Sequence, residues 1–132
     1  MEIIKYRGIS LSIWDIEDNN EGDTATKNFI NTKALLYVVD SSNRPGITNI
    51  KDHFNTLMRH ESLNRIPLGV ALNTKDLLSS DPLSTDEIIV ELDLSVLEQR
   101  WCVQPMNAIN GDGLYEAFDW ICKLKNMNDK KP

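Results

Sequence analysis

Aliphatic residues alternate with other residues near the start of the chain, and longer apolar patterns follow. Glu2–Tyr6 has strand character, Arg7-Gly8 is a turn signal, and residues 9–14 place aliphatic side chains at every second position. Such alternation is typical of a half-buried strand. We therefore predict a hairpin here, followed by a polar and acidic loop over residues 17–26.

Three continuous apolar runs come later in the chain. Residues 34–39 form the first run, which stops at Asp40, and residues 68–72 form the second, which stops at Asn73. Residues 101–104 form a third, shorter run. Uninterrupted apolar strands are typical of a parallel sheet that is covered on both faces.

Segments with helical periodicity separate these runs. The first has apolar residues at Ile47, Ile50, Phe54 and Leu57; the last has them at Leu114, Phe118, Ile121 and Cys122. Between them, Ser84 and Glu87 have the spacing of a capping box, which opens a helix. Strands that alternate with helices predict an α/β fold with a mainly parallel sheet and helices on both faces. We assign residues 1–126 to one domain and 127–132 to a polar tail.

Composition narrows the class of protein. The 132 residues suffice for one domain, and the net charge of −6 argues against nucleic acid or an anionic membrane surface as the main partner. No apolar run is long enough to span a membrane, and Glu2 excludes N-myristoylation at this start site. We expect a cytoplasmic protein without a lipid anchor.

Cysteine and histidine residues do not form a recognisable metal motif. Neither Cys102 nor Cys122 belongs to a CxxC pair, so we expect two reduced core residues. His53 and His60 lie on a predicted helix and are interpreted as surface residues. Polar residues instead gather where the predicted strands end, which is the edge where open α/β sheets bind ligands.

Four segments, at residues 14–15, 38–44, 73–77 and 111–120, resemble motifs of the ADP-ribosylation factor (Arf) family of small GTPases and follow the order of that family. Residues 14–15 stand where the family has W-D-x-G-G-Q, and residues 38–44 (V-V-D-S-S-N-R) resemble V-V-D-S-x-D-R. Residues 73–77 (N-T-K-D-L) stand where it has N-K-x-D-L, and residues 111–120 (G-D-G-L-Y-E-A-F-D-W) closely match G-D-G-L-Y-E-G-L-D-W. The resemblance implies a P-loop-NTPase-like three-layer sandwich.

The resemblance also implies a guanine site and the cofactors GTP or GDP with Mg²⁺. The Asp76 carboxylate would accept hydrogen bonds from two N–H groups of the base, and the Asn73 side chain would contact the base. The backbone N–H of Ala108 would donate to the guanine oxygen. Thr74 stands where the family has a lysine that stacks over the base, and Lys75 lies one position later. A solvated turn is the alternative interpretation of these residues.

Two further residues carry over from the resemblance. Asp15 matches an aspartate that holds Mg²⁺ through water, so no direct metal ligand is implied, and a turn residue at a strand end is the alternative. Trp14 is the remaining member of an aromatic patch that binds effector proteins. Effectors or regulators of Arf-like GTPases are the partners that the resemblance implies.

The chain departs from the family in the motifs that bind phosphate and position the attacking water. Glu17, Asp18 and Asn19 replace two glycines and the glutamine that orients the attacking water. No G-x-x-x-x-G-K-[ST] phosphate loop occurs, so the first strand and that loop are expected to be missing. The family is a GTPase family, but we expect weak or absent nucleotide binding and no catalytic residue in this chain.

Two functions remain open at this point. One is a guanine-nucleotide switch in intracellular vesicle and membrane traffic, peripheral to the Golgi or other endomembranes. The other is a non-catalytic pseudo-GTPase that acts as a protein-interaction module. In addition, the strands over residues 9–14 and 34–39 have no strand encoded between them, so we expect them to pair directly, to take a strand from another chain, or to self-associate.

Overall fold

The computed structural model describes residues 2–6, 9–13, 33–74 and 81–129. The chain divides into two compact units, Met1–Asn31 and Thr32–Pro132, and the assignment of residues 1–126 to one domain stays a prediction. In the first unit, β1 (Glu2–Tyr6) pairs antiparallel with β2 (Ile9–Ile13), from Glu2 opposite Ile13 to Tyr6 opposite Ile9. The predicted hairpin is confirmed.

The second unit contains a parallel sheet of three strands in the order β3-β4-β5. These strands are β3 (Leu35–Asp40), β4 (Leu68–Asn73) and β5 (Trp101–Met106). The continuous apolar runs therefore form parallel strands, as predicted. The pairing expected for the strands over residues 9–14 and 34–39 stays a prediction.

Helices cover the parallel sheet on two faces. Tyr37 of β3 contacts Phe54 of α1 (Ile47–Met58) in an edge-to-face arrangement, with ring centroids 5.3 Å apart. On the opposite face, Trp120 of α3 (Leu114–Asp129) packs closely on Gly69 of β4. A Cβ added at Gly69 would lie 3.4 Å from the Trp120 ring. This arrangement is the predicted three-layer sandwich.

The core of the second unit lies between these layers. Six large apolar side chains in this core are almost fully buried, and the burial of each stabilises the fold by about 1.5–3 kcal/mol. They are Phe54, Leu63, Leu68, Val70, Ile88 and Leu94.

One helix begins where the sequence predicts, and another extends to the last described residue. Helix α2 (Thr85–Glu91) begins at the predicted capping box: the Glu87 N–H donates to Ser84 Oγ at 3.1 Å, and the Ser84 N–H donates to Glu87 Oε1 at 3.3 Å. Helix α3 continues to Asp129, and the assignment of residues 127–132 to a polar tail stays a prediction. No helix in the described part of the chain is both long and apolar enough to cross a membrane.

Two expectations about single residues need correction. Cys102 is only half-buried, whereas Cys122 is buried as predicted, and neither forms a disulfide bond. His53 is partly buried rather than fully at the surface, because its ring stacks on Tyr37 and its Nδ1 lies 2.9 Å from the Tyr37 hydroxyl. Burial raises the pKa of Tyr37 to about 12 and lowers the pKa of His53.

The burial of His53 predicts a pH dependence of stability. Because its pKa in the folded chain lies below the ordinary value of 6.5, the unfolded chain binds more protons there. The contribution of this site is thus complete above pH 6.5 and declines as the pH falls below it. Urea unfolding of the wild type and His53→Gln from about pH 7.5 to about pH 5 measures the effect. We expect the stability of the wild type to fall more steeply than that of the variant; equal slopes would contradict this assignment.

Candidate functional site

The carboxyl ends of the parallel strands bring the predicted site residues together at one edge of the sheet. Asp40 of β3 lies opposite Asn73 of β4, and Asn73 lies opposite Met106 of β5. The residues that follow each strand therefore meet at this edge. We call Asn73, Thr74 and Ala108 the base cluster, since the resemblance assigns all three to a guanine base.

Asn73 and Ala108 contact each other directly. The Asn73 side chain is 5% exposed, and its Oδ1 accepts a hydrogen bond of 3.0 Å from the Ala108 N–H. This N–H is the group that the resemblance assigns to the guanine oxygen. A base oxygen at this position must share the N–H with Asn73 or displace it.

Thr74 is held by both neighbouring strands. Its N–H donates to the Met106 carbonyl at 2.9 Å, and its Oγ1 lies 3.3 Å from Oγ of Ser41, which is 1% exposed. The short side chain is thus engaged with the end of β3. It does not extend outward as a lysine stem does when it covers a base.

Asn107 shapes the turn after β5, a role that was not among the predictions. Its Oδ1 accepts hydrogen bonds from the N–H groups of Ile109 at 2.9 Å and Asn110 at 3.3 Å. Its own N–H donates to the Asp112 carbonyl at 2.7 Å. An asparagine that bonds to the backbone two residues ahead forms an Asx-turn, and that tendency is the signal by which the sequence could have identified it.

An open depression of about 500 Å³ lies beside the base cluster. It is lined by Thr74, Gln104, Pro105, Met106, Asn107, Asp112, Gly113 and Glu116. Two of these residues carry carboxylates and none of the lining residues is basic. The depression therefore repels phosphate, whereas its amide and hydroxyl groups suit the polar edge of a base.

Asp40, the last residue of β3, carries a carboxylate and lies opposite Asn73 of the base cluster. Its Oδ1 accepts hydrogen bonds from the Ser42 N–H at 3.0 Å and from the Ser42 hydroxyl at 2.6 Å. This oxygen therefore stabilises its own turn. In residues 33–74 and 81–129, no group of three or more potential ligands among His, Cys, Asp and Glu is arranged to hold a metal ion.

Several predicted site residues lie outside the described residues. Lys75 and Asp76 follow the base cluster in sequence, and Trp14 and Asp15 follow β2. The acidic stretch that contains Glu17, Asp18 and Asn19 is also outside. Their assigned roles remain predictions.

A parallel sheet covered by helices defines an α/β protein, and the polar groups of this one gather at the carboxyl ends of the strands, the edge where open α/β sheets generally bind ligands. The family model of the ADP-ribosylation factor family matches residues 1–125. The chain belongs to this family of small GTP-binding proteins, whose members bind GTP or GDP with Mg²⁺ and interact with effectors and regulators.

Individual relatives agree with the family match. ADP-ribosylation factors K and J of Dictyostelium discoideum are 32% and 31% identical over 128 residues, which is 96% of this chain and 67% of each relative. ADP-ribosylation factor F of the same organism is 34% identical over 126 residues, which is 92% of this chain and 65% of that relative. The chain spans about two thirds of the length of these proteins.

Two glycines in the loop beside the depression predict different sensitivities to substitution. Gly111 and Gly113 have φ values of +87° and +76°, so alanine costs about 1–2 kcal/mol of backbone strain at either position. An added Cβ meets nothing within 4 Å at Gly111 but lies 2.2 Å from the Pro105 carbonyl oxygen at Gly113. Gly113→Ala should therefore lose a further 1–3 kcal/mol, roughly the cost of overpacking.

Denaturant unfolding of Gly111→Ala and Gly113→Ala measures this difference, with Gly111→Ala as the matched control for backbone strain. Equal losses of unfolding free energy in the two variants would show that the loop does not pack against β5 as described.

Proposed function

We propose that this chain is an Arf-like GTP-binding protein that regulates intracellular vesicle and membrane traffic, with nucleotide binding and hydrolysis weakened or lost. The family match over residues 1–125 carries this proposal. The base cluster supports it locally, because Asn73 and the Ala108 N–H, which the resemblance assigns to a guanine base, contact each other.

Recognition of the base is the part of the cycle that the described residues favour most. Asn73 brings an amide to the site, and the Ala108 N–H lies 3.0 Å from that amide oxygen. A carboxylate at Asp76 would select guanine over adenine, because only guanine offers two adjacent N–H donors. The open depression beside the cluster leaves space for a planar group.

Phosphate contacts are the part of the cycle that these residues lack. No G-x-x-x-x-G-K-[ST] occurs among the 132 residues. The stretch with Glu17 and Asp18 would repel the terminal phosphate, and Asn19 stands where a glutamine orients water. Since phosphoryl transfer depends on positioning and charge stabilisation, we expect no measurable hydrolysis.

The proposed partners and location follow from the family. Effectors or regulators of Arf-like GTPases would bind the surface that includes Trp14. The protein would act in the cytoplasm at the face of the Golgi or another endomembrane. Asp15 would contact Mg²⁺ through water when a nucleotide is bound.

Titration with a fluorescent GDP analogue in the presence of Mg²⁺ tests the nucleotide proposal. We expect binding to be much weaker than a nanomolar dissociation constant, which corresponds to a binding free energy of about −12 kcal/mol. Thr74→Lys should strengthen binding, because it restores a side chain that covers the base. Thr56→Lys is the matched control, since it adds the same charge on an exposed position of α1. Nanomolar binding by the wild type, or equal affinities of the two variants, would contradict the proposal.

A second candidate function, a non-catalytic interaction module, is favoured by the outer edge of β3. The N–H groups of Leu35 and Ser41 bond toward β4, at 2.9 Å and 2.8 Å. Because alternate residues of a strand bond to opposite sides, Leu36, Val38 and Asp40 present their backbone groups to the other side. In the described part of the chain no strand pairs with that side, and Val38 is 54% exposed.

The two edges of the parallel sheet differ in their protection. β5 contains Pro105, which has no N–H and is typical of a true edge strand. β3 contains neither proline nor a basic residue, so nothing in its sequence discourages pairing with another strand. We therefore propose self-association through β3 as the interaction that this chain makes on its own.

Light scattering over a concentration series tests this self-association. Val38→Lys places a charge at the centre of the open edge and should shift the mass toward that of a single chain. Val96→Lys is the matched control, because Val96 is 70% exposed and lies in the turn Leu94–Val96 rather than on a strand. A wild-type chain that stays monomeric and melts sharply would overturn this candidate.

A further inference from the structure

The turn that follows β3 contacts the base cluster on one side. The Ser41 N–H donates to the Asn73 carbonyl at 2.8 Å, and Ser41 Oγ lies 3.3 Å from Thr74 Oγ1. Ser41 is 1% exposed, so these bonds form away from solvent. The position of Ser41 therefore influences where Asn73 and Thr74 lie.

On its other side, the same turn holds the chain that leads into α2. The Leu83 N–H donates to the Ser41 carbonyl at 2.7 Å. The Arg44 side chain donates to the carbonyls of Asp81 and Pro82, each at 3.2 Å. The residues 81–83 are thus attached to the turn both through Ser41 and through Arg44.

Arg44 is also bound to two carboxylates. Its Nε lies 3.0 Å from Asp81 Oδ2, and its two terminal nitrogens bind both oxygens of Glu87, with Nη2 3.0 Å from Oε1. The hydrogen bond to Arg44 lowers the pKa of Glu87 to about 2. The same Glu87 oxygen accepts the Ser84 N–H in the capping box, so one guanidinium orients the whole beginning of α2.

An arginine performs this role better than a lysine. The guanidinium is planar and carries five donors in a fixed arrangement, so it can bind two carboxylates and two carbonyls at once. Exposed ion pairs contribute little to stability by themselves. Arg44 and Glu87 have side-chain exposures of 36% and 40%, so their contacts are better explained by the geometry that they impose.

We propose that Arg44 is a positioning residue for the base cluster. It fixes residues 81–83 against Ser41, and Ser41 in turn fixes Asn73 and Thr74, so that Asn73 Oδ1 meets the Ala108 N–H. The inference rests on the proposed function for the significance of that cluster, but the contacts it predicts exist without nucleotide.

Amide hydrogen exchange of the full chain without nucleotide tests the proposal. In Arg44→Ala, the amides of Leu83, Thr74 and Ala108 should exchange roughly three- to tenfold faster, the range expected for the loss of one buried hydrogen bond. Arg44→Lys should give a smaller acceleration at the same amides, because it keeps the charge and loses the bidentate geometry. The Val70 amide of the central strand β4 reports global unfolding and should change less.

Lys51→Gln is the matched control. Lys51 lies 3.3 Å from Glu91 and also joins α1 to α2, but it has no described contact with the turn after β3. This variant should leave exchange at Thr74 and Ala108 unchanged. Two results would overturn the proposal: acceleration confined to Leu83 in Arg44→Ala, or equal acceleration at Val70 and Ala108. Since no nucleotide is present, failure of the GDP titration does not affect either result.

Discussion

The central strand β4 imposes the constraint on which the rest of the second unit depends. All of its residues from Leu68 to Asn73 are buried, and it pairs with a strand on each side. A buried backbone group without a partner costs about 1–3 kcal/mol, so β3 and β5 must keep their registers along its whole length. The register then determines which residues meet where the strands end.

Asn73 shows how this constraint produces a site. A polar side chain at the end of a buried strand must find a hydrogen-bond partner, and the Ala108 N–H beyond β5 provides one. At the same edge, the N–H of Ser41, which follows β3, donates to the Asn73 carbonyl, and the Ser41 hydroxyl contacts the Thr74 hydroxyl. The polar groups at this edge are therefore ordered by the packing of the sheet, before any ligand binds.

Patterns that depend on local sequence were predictable. Continuous apolar runs identified β3 and β4, and the spacing of Ser84 and Glu87 identified the start of α2. These features follow from the burial and capping of single elements. Family motifs assigned Asn73 and Ala108 to one guanine site; the two residues are in contact, and their role toward guanine stays a prediction.

Contacts between distant segments were not predictable from the sequence. Arg44 lies 37 residues from Asp81 and 43 residues from Glu87, and no periodicity links them. His53 has the spacing of a polar helix position, but the ring of Tyr37 covers it. A pattern along one helix cannot show which aromatic ring of a neighbouring strand packs against it. For the same reason, the partner of the Ala108 N–H had to come from the structure.

Under the proposed function, the energies of hydrogen bonds to the base and to the phosphates can be compared to find which would limit nucleotide affinity. Displacing Asn73 from the Ala108 N–H costs one ordinary hydrogen bond, about 0.5–1.5 kcal/mol, which weakens binding by roughly tenfold at most. Hydrogen bonds to a charged phosphate contribute about 1.5–3 kcal/mol each. Losing three of them weakens binding by on the order of a thousandfold or more. Under the proposed function, the Asn73–Ala108 contact is thus the smaller effect on nucleotide affinity, and a loss of phosphate contacts is the larger one. A base cluster of this kind would be well ordered and still bind nucleotide weakly, because its order comes from the sheet while most of the affinity would come from the phosphates.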